Sequence, residues 1–255
     1  MKYYDEILDL GCFTSQDLEQ IINNKRTIEA LLYRYMQKGY IKRVKKNFYV
    51  AMDIVNLTPV CNKYQIATQL GQSHYIAYHS AIEYYGFQNQ VFNEIVYCGN
   101  KRINDFDFEN ITYHYVQSKC DLQIEKKYDG VRVTSLERTI VDCIDQMDLA
   151  GGIEEIYRVL DSIHSINENK LIEILDDYQK KVLYQRTGFI LENFKEQLNI
   201  SDLTFHYLHS KIGNSKCYLN SSKKIDNLIY DKTWNICVPT YVLTLLTKGN
   251  LDYEI

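Results

Sequence analysis

The chain has 255 residues, 45% of them apolar and 24% charged, with 11 Gly and 2 Pro. That composition excludes a disordered chain and a collagen-like fibre, and the length suits one or two globular domains. The net charge of −4 excludes a uniformly basic nucleic-acid coat. No apolar run approaches the roughly 18–20 residues a bilayer span needs. The N-terminus, Met1-Lys2-Tyr3-Tyr4-Asp5-Glu6, places acids where a signal peptide needs an apolar stretch, so a cytoplasmic protein is expected. The seven cysteines, at 12, 61, 98, 120, 143, 217 and 237, form no CxxC pair. An odd count without close spacing predicts neither a disulfide framework nor a zinc site.

The charge is unevenly placed. Between Lys25 and Lys46 lie eight basic residues and one acid, Glu29, a net +7 that leaves −11 for the rest. The elements around this window decide what it means. Tyr3, Ile7 and Leu10 recur at helical spacing, and Gly11 follows. Thr14-Ser15-Gln16-Asp17 is a capping-box pattern opening a second helix to about Ile22. Asn24 caps a third helix, from about Lys25 to Lys38. Ile28, Leu31, Leu32, Tyr35 and Met36 form its apolar stripe, which leaves Arg26, Thr27, Ala30, Tyr33, Arg34 and Gln37 on the opposite face. Tyr40 to Val50 then reads as a hairpin, with Lys45-Lys46-Asn47 at its tip.

Three helices and a basic hairpin are the order of a winged helix-turn-helix, expected over residues 1–53. On that reading Lys25, Arg26, Thr27, Ala30, Tyr33, Arg34 and Gln37 face the major groove, Arg26 and Arg34 being suited to guanine. Lys42, Arg43, Lys45, Lys46 and Asn47 are expected at phosphates, which supply affinity without sequence information. The bland alternative is a basic, solvated face, or a protein-interaction module of the same shape.

A linker is expected over 54–62, around Thr58-Pro59. Residues 63–255 read as an α+β domain with a small sheet and several helices. Helices are predicted over 63–70, in the middle of 74–87, from a cap at Thr134 or Ser135 onward, and over 152–163, 167–179, 187–198 and 203–211. Strands are predicted over 94–98, 111–116, 130–134 and near Trp234–Val238. Asp105-Phe106-Asp107-Phe108-Glu109 alternates acids with aromatics, as an exposed edge strand or turn does; three carboxylates there could also hold Mg²⁺. There is no GxxxxGK[ST], GxGxxG or GxSxG motif. His79 and Glu83 share a helix face, most simply as a local hydrogen bond, and Arg138 and Asp142 are spaced as a structural pair, with Glu137 at a helix start. No catalytic set, metal or cofactor is predicted.

Several stretches together carry a resemblance: Gly39-Tyr40-Ile41-Lys42-Arg43-Val44 with Phe48-Tyr49-Val50, Tyr78-His79-Ser80-Ala81 to Tyr84-Tyr85-Gly86, and Val133-Thr134-Ser135-Leu136-Glu137-Arg138-Thr139-Ile140-Val141-Asp142. Gly151-Gly152-Ile153-Glu154-Glu155, Tyr184-Gln185-Arg186-Thr187-Gly188-Phe189 and Lys211-Ile212-Gly213 also fit. Across nearly its whole length the chain resembles the AbiEi-type antitoxins of bacterial type IV toxin–antitoxin, or abortive-infection, systems. The resemblance implies a winged helix that binds inverted repeats in its own promoter, as two protomers on paired half-sites. It also implies a C-terminal domain that opposes a nucleotidyltransferase-type toxin without requiring a stable complex. His79, Glu83, Glu137, Arg138 and Asp142 match the family pattern, and the family assigns them no catalytic role. The alternatives are a stand-alone regulator whose C-terminal domain senses a ligand or dimerises, and an enzyme acting on the toxin or its RNA target.

Overall fold

The computed structural model describes residues 2–88, 90–220 and 227–249, with side chains to residue 245. It is an α+β fold whose chain gathers into two units: Met1–Ile76 with Phe92–Ser118 and Lys126–Val133, and Ala77–Val91 with Lys119–Glu125 and Thr134–Ile255.

The first unit opens with α1 (Tyr4–Leu10), β1 (Cys12–Phe13), α2 (Ser15–Glu19) and α3 (Lys25–Gln37). The capping box at α2 is present in full, Thr14 and Asp17 satisfying each other's backbone N–H groups. β2 (Ile41–Lys45) and β3 (Phe48–Asp53) form an antiparallel hairpin, and β1 pairs along the other edge of β3. Residues 54–62, expected as a linker, are partly ordered into β4 (Thr58–Pro59), which pairs back on Met52 and Asp53. The reason is local turn chemistry: the Asp53 carboxylate accepts the N–H groups of Val55 and Asn56 and reverses the chain.

α4 (Lys63–Gln69) leads to β5 (Tyr75–Ile76), after which α5 (Tyr78–Tyr85) belongs to the second unit. β6 (Glu94–Gly99), β7 (Phe106–Phe108) and β8 (Ile111–Gln117) return to the first. β9 (Ile124–Lys126) lies where the chain passes between units, and β10 (Arg132–Thr134) follows. The sheet runs β7-β8-β6-β5-β10-β9, with β6 and β8 parallel and β7 antiparallel on the outer edge. The alternating acids and aromatics at 105–109 are therefore an edge strand, as expected. Tyr75, Tyr97 and Tyr113 lie buried in the sheet. Arg132 ties the α4 end to it: its guanidinium donates to the carbonyls of Thr68, Gly71 and His74, so a half-buried cation has three acceptors.

The second unit continues with α6 (Leu136–Asp145), a 3-10 turn at Met147–Ala150, α7 (Ile153–Asp161), α8 (Glu168–Tyr178), α9 (Lys181–Glu192) and α10 (Asp202–Lys211). β11 (Cys217–Tyr218), β12 (Leu228–Asp231) and β13 (Ile236–Pro239) form a small sheet of order β11-β13-β12, followed by α11 (Thr240–Gly249). The helix expected over 187–198 instead spans α9 and ends at Glu192, because α9 is buried on all sides from Leu183 to Leu191. A helix enclosed all round has no polar stripe to mark its register.

Gln185 in α9 donates to the carbonyls of Ser215 and Trp234, and Arg186 donates to Tyr218 O, which fastens the small sheet to the helix. Gly188 receives the fully buried Trp234 ring, where a Cβ would lie 2.0 Å from a ring carbon. Trp234 also donates to the Glu192 carboxylate and stacks on His209. Gly188→Ala is expected to lower unfolding free energy by about 1–3 kcal/mol through overpacking, measured by urea titration. An unchanged midpoint would show that Trp234 relocates freely.

Candidate nucleic-acid interface

The candidate surface is built on α3. Asn24 caps the helix, its side-chain oxygen accepting Thr27 N–H at 3.2 Å. The other end closes with paired bonds from Gly39 N–H to Met36 O and from Tyr40 N–H to Tyr35 O, Gly39 adopting φ +71°. Ile28, Leu31, Leu32 and Tyr35 are buried in a cluster that includes Ile7, Phe13, Leu18, Ile22, Ile41 and Tyr49. That packing fixes the rotation of the helix. It leaves Lys25, Arg26, Thr27, Ala30, Tyr33, Arg34 and Gln37 exposed, Tyr33 at 64%. Arg26, Ala30, Tyr33 and Gln37 form one straight row, at i, i+4, i+7 and i+11. Every sequence-predicted helix residue thus stands on one solvent-facing surface, and α3 carries no acid in its first turn.

The hairpin divides its basic residues into two sets. The register shifts between Arg43 and Lys45, a bulge that breaks the simple two-residue alternation. Lys42 Nζ lies 2.5 Å from Glu109 Oε1, next to the β7 edge strand. Lys45 Nζ stands over the Phe106 ring, 5.0 Å from its centre, and burial lowers the lysine's proton affinity. Arg43 and Lys46 remain exposed. Asn47 takes φ +57° at the turn, and its Oδ1 accepts Ser15 N–H at 3.1 Å, which ties the hairpin tip to the start of α2. Lys42 and Lys45, expected at phosphates, are thus engaged by the sheet edge, whereas Arg43 and Lys46 are exposed to solvent. Sequence reasoning missed Glu109 and Phe106 as partners of the hairpin; the alternation at 105–109 marked an edge strand but not what it would meet.

The family-pattern residues of the second unit lie elsewhere. Arg138 and Asp142 are each 2% exposed and bonded at 2.6 Å. Arg138 also donates to Leu122 O at 3.0 Å, and Tyr178 donates its hydroxyl to Asp142. Burial raises the Asp142 proton affinity against the pull of Arg138 and Tyr178. Glu137 accepts Asn167 N–H at 2.8 Å at the start of α8, and Ser135 caps α6 by accepting Arg138 N–H. His79 meets Leu149 O at 2.9 Å. These side chains join helices to one another inside the unit. Among the described residues no three His, Cys, Asp or Glu side chains gather as a metal site would require, and no helix is long and apolar enough to cross a membrane.

No family model matches the chain, and no curated protein matches it. Among solved structures it is similar to the crystal structure of the RV2827C protein from Mycobacterium tuberculosis, with a TM-score of 0.68 at 11% identity over 98% of this chain and 93% of that one. At that identity the likeness concerns the fold.

Asp142→Ala is expected to cost about 3–5 kcal/mol, because it strands the buried Arg138 charge. Replacing both with well-packed apolar residues is expected to cost less than the single change, read by denaturant titration. A smaller loss for the single change would show that Arg138 finds another acceptor. Asp145 supplies a pH-dependent contribution. Burial pushes its carboxyl up, but hydrogen bonds from Lys119 and Lys180 outweigh burial and hold it below the ordinary carboxylate value. A depressed folded-state value stabilises the fold above the unfolded carboxylate value, near 3.9, and the gain is lost as pH falls through the folded one. Asp145→Asn is therefore expected to destabilise at pH 6–7 and to converge with the parent as pH falls through the folded-state value, measured by thermal unfolding across pH.

Proposed function

We propose that the protein is a DNA-binding antitoxin that represses its own operon through an N-terminal winged helix-turn-helix and counters a nucleotidyltransferase-type toxin through its second unit. The observation that carries the DNA reading is the exposed row Arg26, Ala30, Tyr33 and Gln37, flanked by Arg34, beside a hairpin that exposes Arg43 and Lys46. The order α1, β1, α2, α3, β2, β3 with a sheet ordered β1-β3-β2 supports a winged helix. Guanidinium groups on such a helix pair with guanine edges, and the hairpin cations meet phosphates. Two protomers on inverted half-sites match the symmetry of the proposed operator. The antitoxin role rests on the resemblance carried by the motifs around Glu137 and Gly188. Repression of its own operon places the protein in the bacterial cytoplasm. Neither role calls on catalysis.

The structure changes which hairpin cations are expected to matter. Arg43→Ala with Lys46→Ala is expected to weaken binding to all duplexes and to reduce the slope of log affinity against log salt by about 2. Lys42→Ala with Lys45→Ala is expected to move that slope by less. Arg26→Ala is expected to cost about 1–3 kcal/mol of discrimination between operator and random DNA. Titrations of promoter and scrambled duplexes at several salt concentrations read all three, and indifference to every change would remove the groove assignment. Co-expression of the full chain with the protein encoded next door tests toxin rescue separately.

A further inference from the structure

Cys12 and Cys61 meet at the base of the α3 module. β1 and β4 lie end to end along one edge of β3: Cys12 pairs with Val50, Pro59 with Met52, and Ala51 bonds both Gly11 O and Val60 N–H. This places the Gly11–Cys12 and Val60–Cys61 steps side by side. The Cys61 sulfur lies so close to Gly11 that a Cβ there would sit 2.6 Å from it, and Gly11 adopts φ +66°. The two thiols perturb each other's titration, Cys12 being raised and Cys61 lowered by its neighbour. Both residues are free thiols with less than a tenth of their surface exposed. They differ in access. Cys61 lines a cavity of about 300 Å³ with Pro59, Lys63, Ile66, Phe108 and Tyr113, and Cys12 is not among its walls.

We propose that Cys61 and Cys12 form a peroxide-responsive dithiol, Cys61 being the thiol oxidised first and Cys12 the one that resolves it into a disulfide. The Cys61 sulfur attacks one oxygen of hydrogen peroxide through the cavity. An S–O bond forms, the O–O bond breaks, and the departing hydroxide takes the proton lost by the Cys61 thiol and leaves as water. Cys61 is then a sulfenic acid, oxidised by two electrons, and the peroxide is reduced. The Cys12 sulfur attacks Cys61, the S–S bond forms, the S–O bond breaks, and hydroxide leaves with the Cys12 proton as a second water. The electrostatics support this division. Cys12 lowers the Cys61 thiol below its ordinary value against the push of burial, and Cys12 itself is raised. The resulting bond would close a covalent loop around α2, α3, β2 and β3. A small external dithiol would reverse it by exchange.

The test is peroxide titration of the full-length protein, alkylation of remaining thiols, and peptide mapping by mass spectrometry. A Cys12–Cys61 crosslink, two hydrogens lighter and reversed by dithiothreitol, is the expected product at the lowest peroxide doses. Cys12→Ser is expected to hold Cys61 as a sulfenic acid that dimedone traps, and Cys61→Ser to abolish both adducts at this pair. Mapping of the unsubstituted chain decides the matter even if either variant fails to fold. A crosslink forming first at Cys217 and Cys237, or equal oxidation of all seven cysteines, would overturn the proposal. So would dimedone labelling of Cys12 ahead of Cys61.

Discussion

A helix has a limited circumference, and α3 commits one side of it fully. Ile28, Leu31, Leu32 and Tyr35 enter a core shared with α1, α2 and β3, so the helix has one stable rotation. Everything proposed for the N-terminal segment follows from that constraint. With the apolar stripe locked, the guanidinium groups of Arg26 and Arg34 cannot turn inward, and the small Ala30 sits between large neighbours on the open side. The paired bonds at Gly39 and the Asn24 cap fix where the surface begins and ends.

The second unit works by a different rule. It buries charge inside a helix: Glu137, Arg138 and Asp142 are all enclosed on α6. Charges in such a place persist only with partners on several sides, and here carbonyl, hydroxyl and carboxylate groups from different segments converge on them. The motif from Tyr184 to Phe189 plays a similar part on α9, where Gln185 and Arg186 satisfy carbonyls of the small sheet and Gly188 makes room for an indole. The residues that carry the sequence resemblance in this half are thus those that hold helices together.

What was legible in the sequence depended on how local the physics was. α3 could be read to within a residue because its stripe repeats at helical spacing and both ends carry cap chemistry. The Arg138–Asp142 pair was readable for the same reason, since four residues along a helix bring two side chains together. α9 was misplaced because uniform burial erases periodicity. β11 and β12 went unseen: strands of two and four residues have little alternation, and their pairing is set by contacts far along the chain. Lys42 and Lys45 were placed with Arg43 and Lys46 because nothing nearby signals the bulge, and Glu109 lies 67 positions away.

That distant carboxylate has a consequence for how such a protein can be cut or recombined. Lys42 and Lys45 rest on the hairpin formed by β7 and β8, which belongs to the same unit as α3 despite the intervening sequence. A fragment ending near residue 62 would expose the underside of the β2–β3 ribbon and leave two cations without their seat. Exchange of this N-terminal module with that of another protein of the same fold would therefore have to carry the strands around 92–118 along with the first sixty residues. The smallest inheritable piece of this surface is discontinuous in the gene.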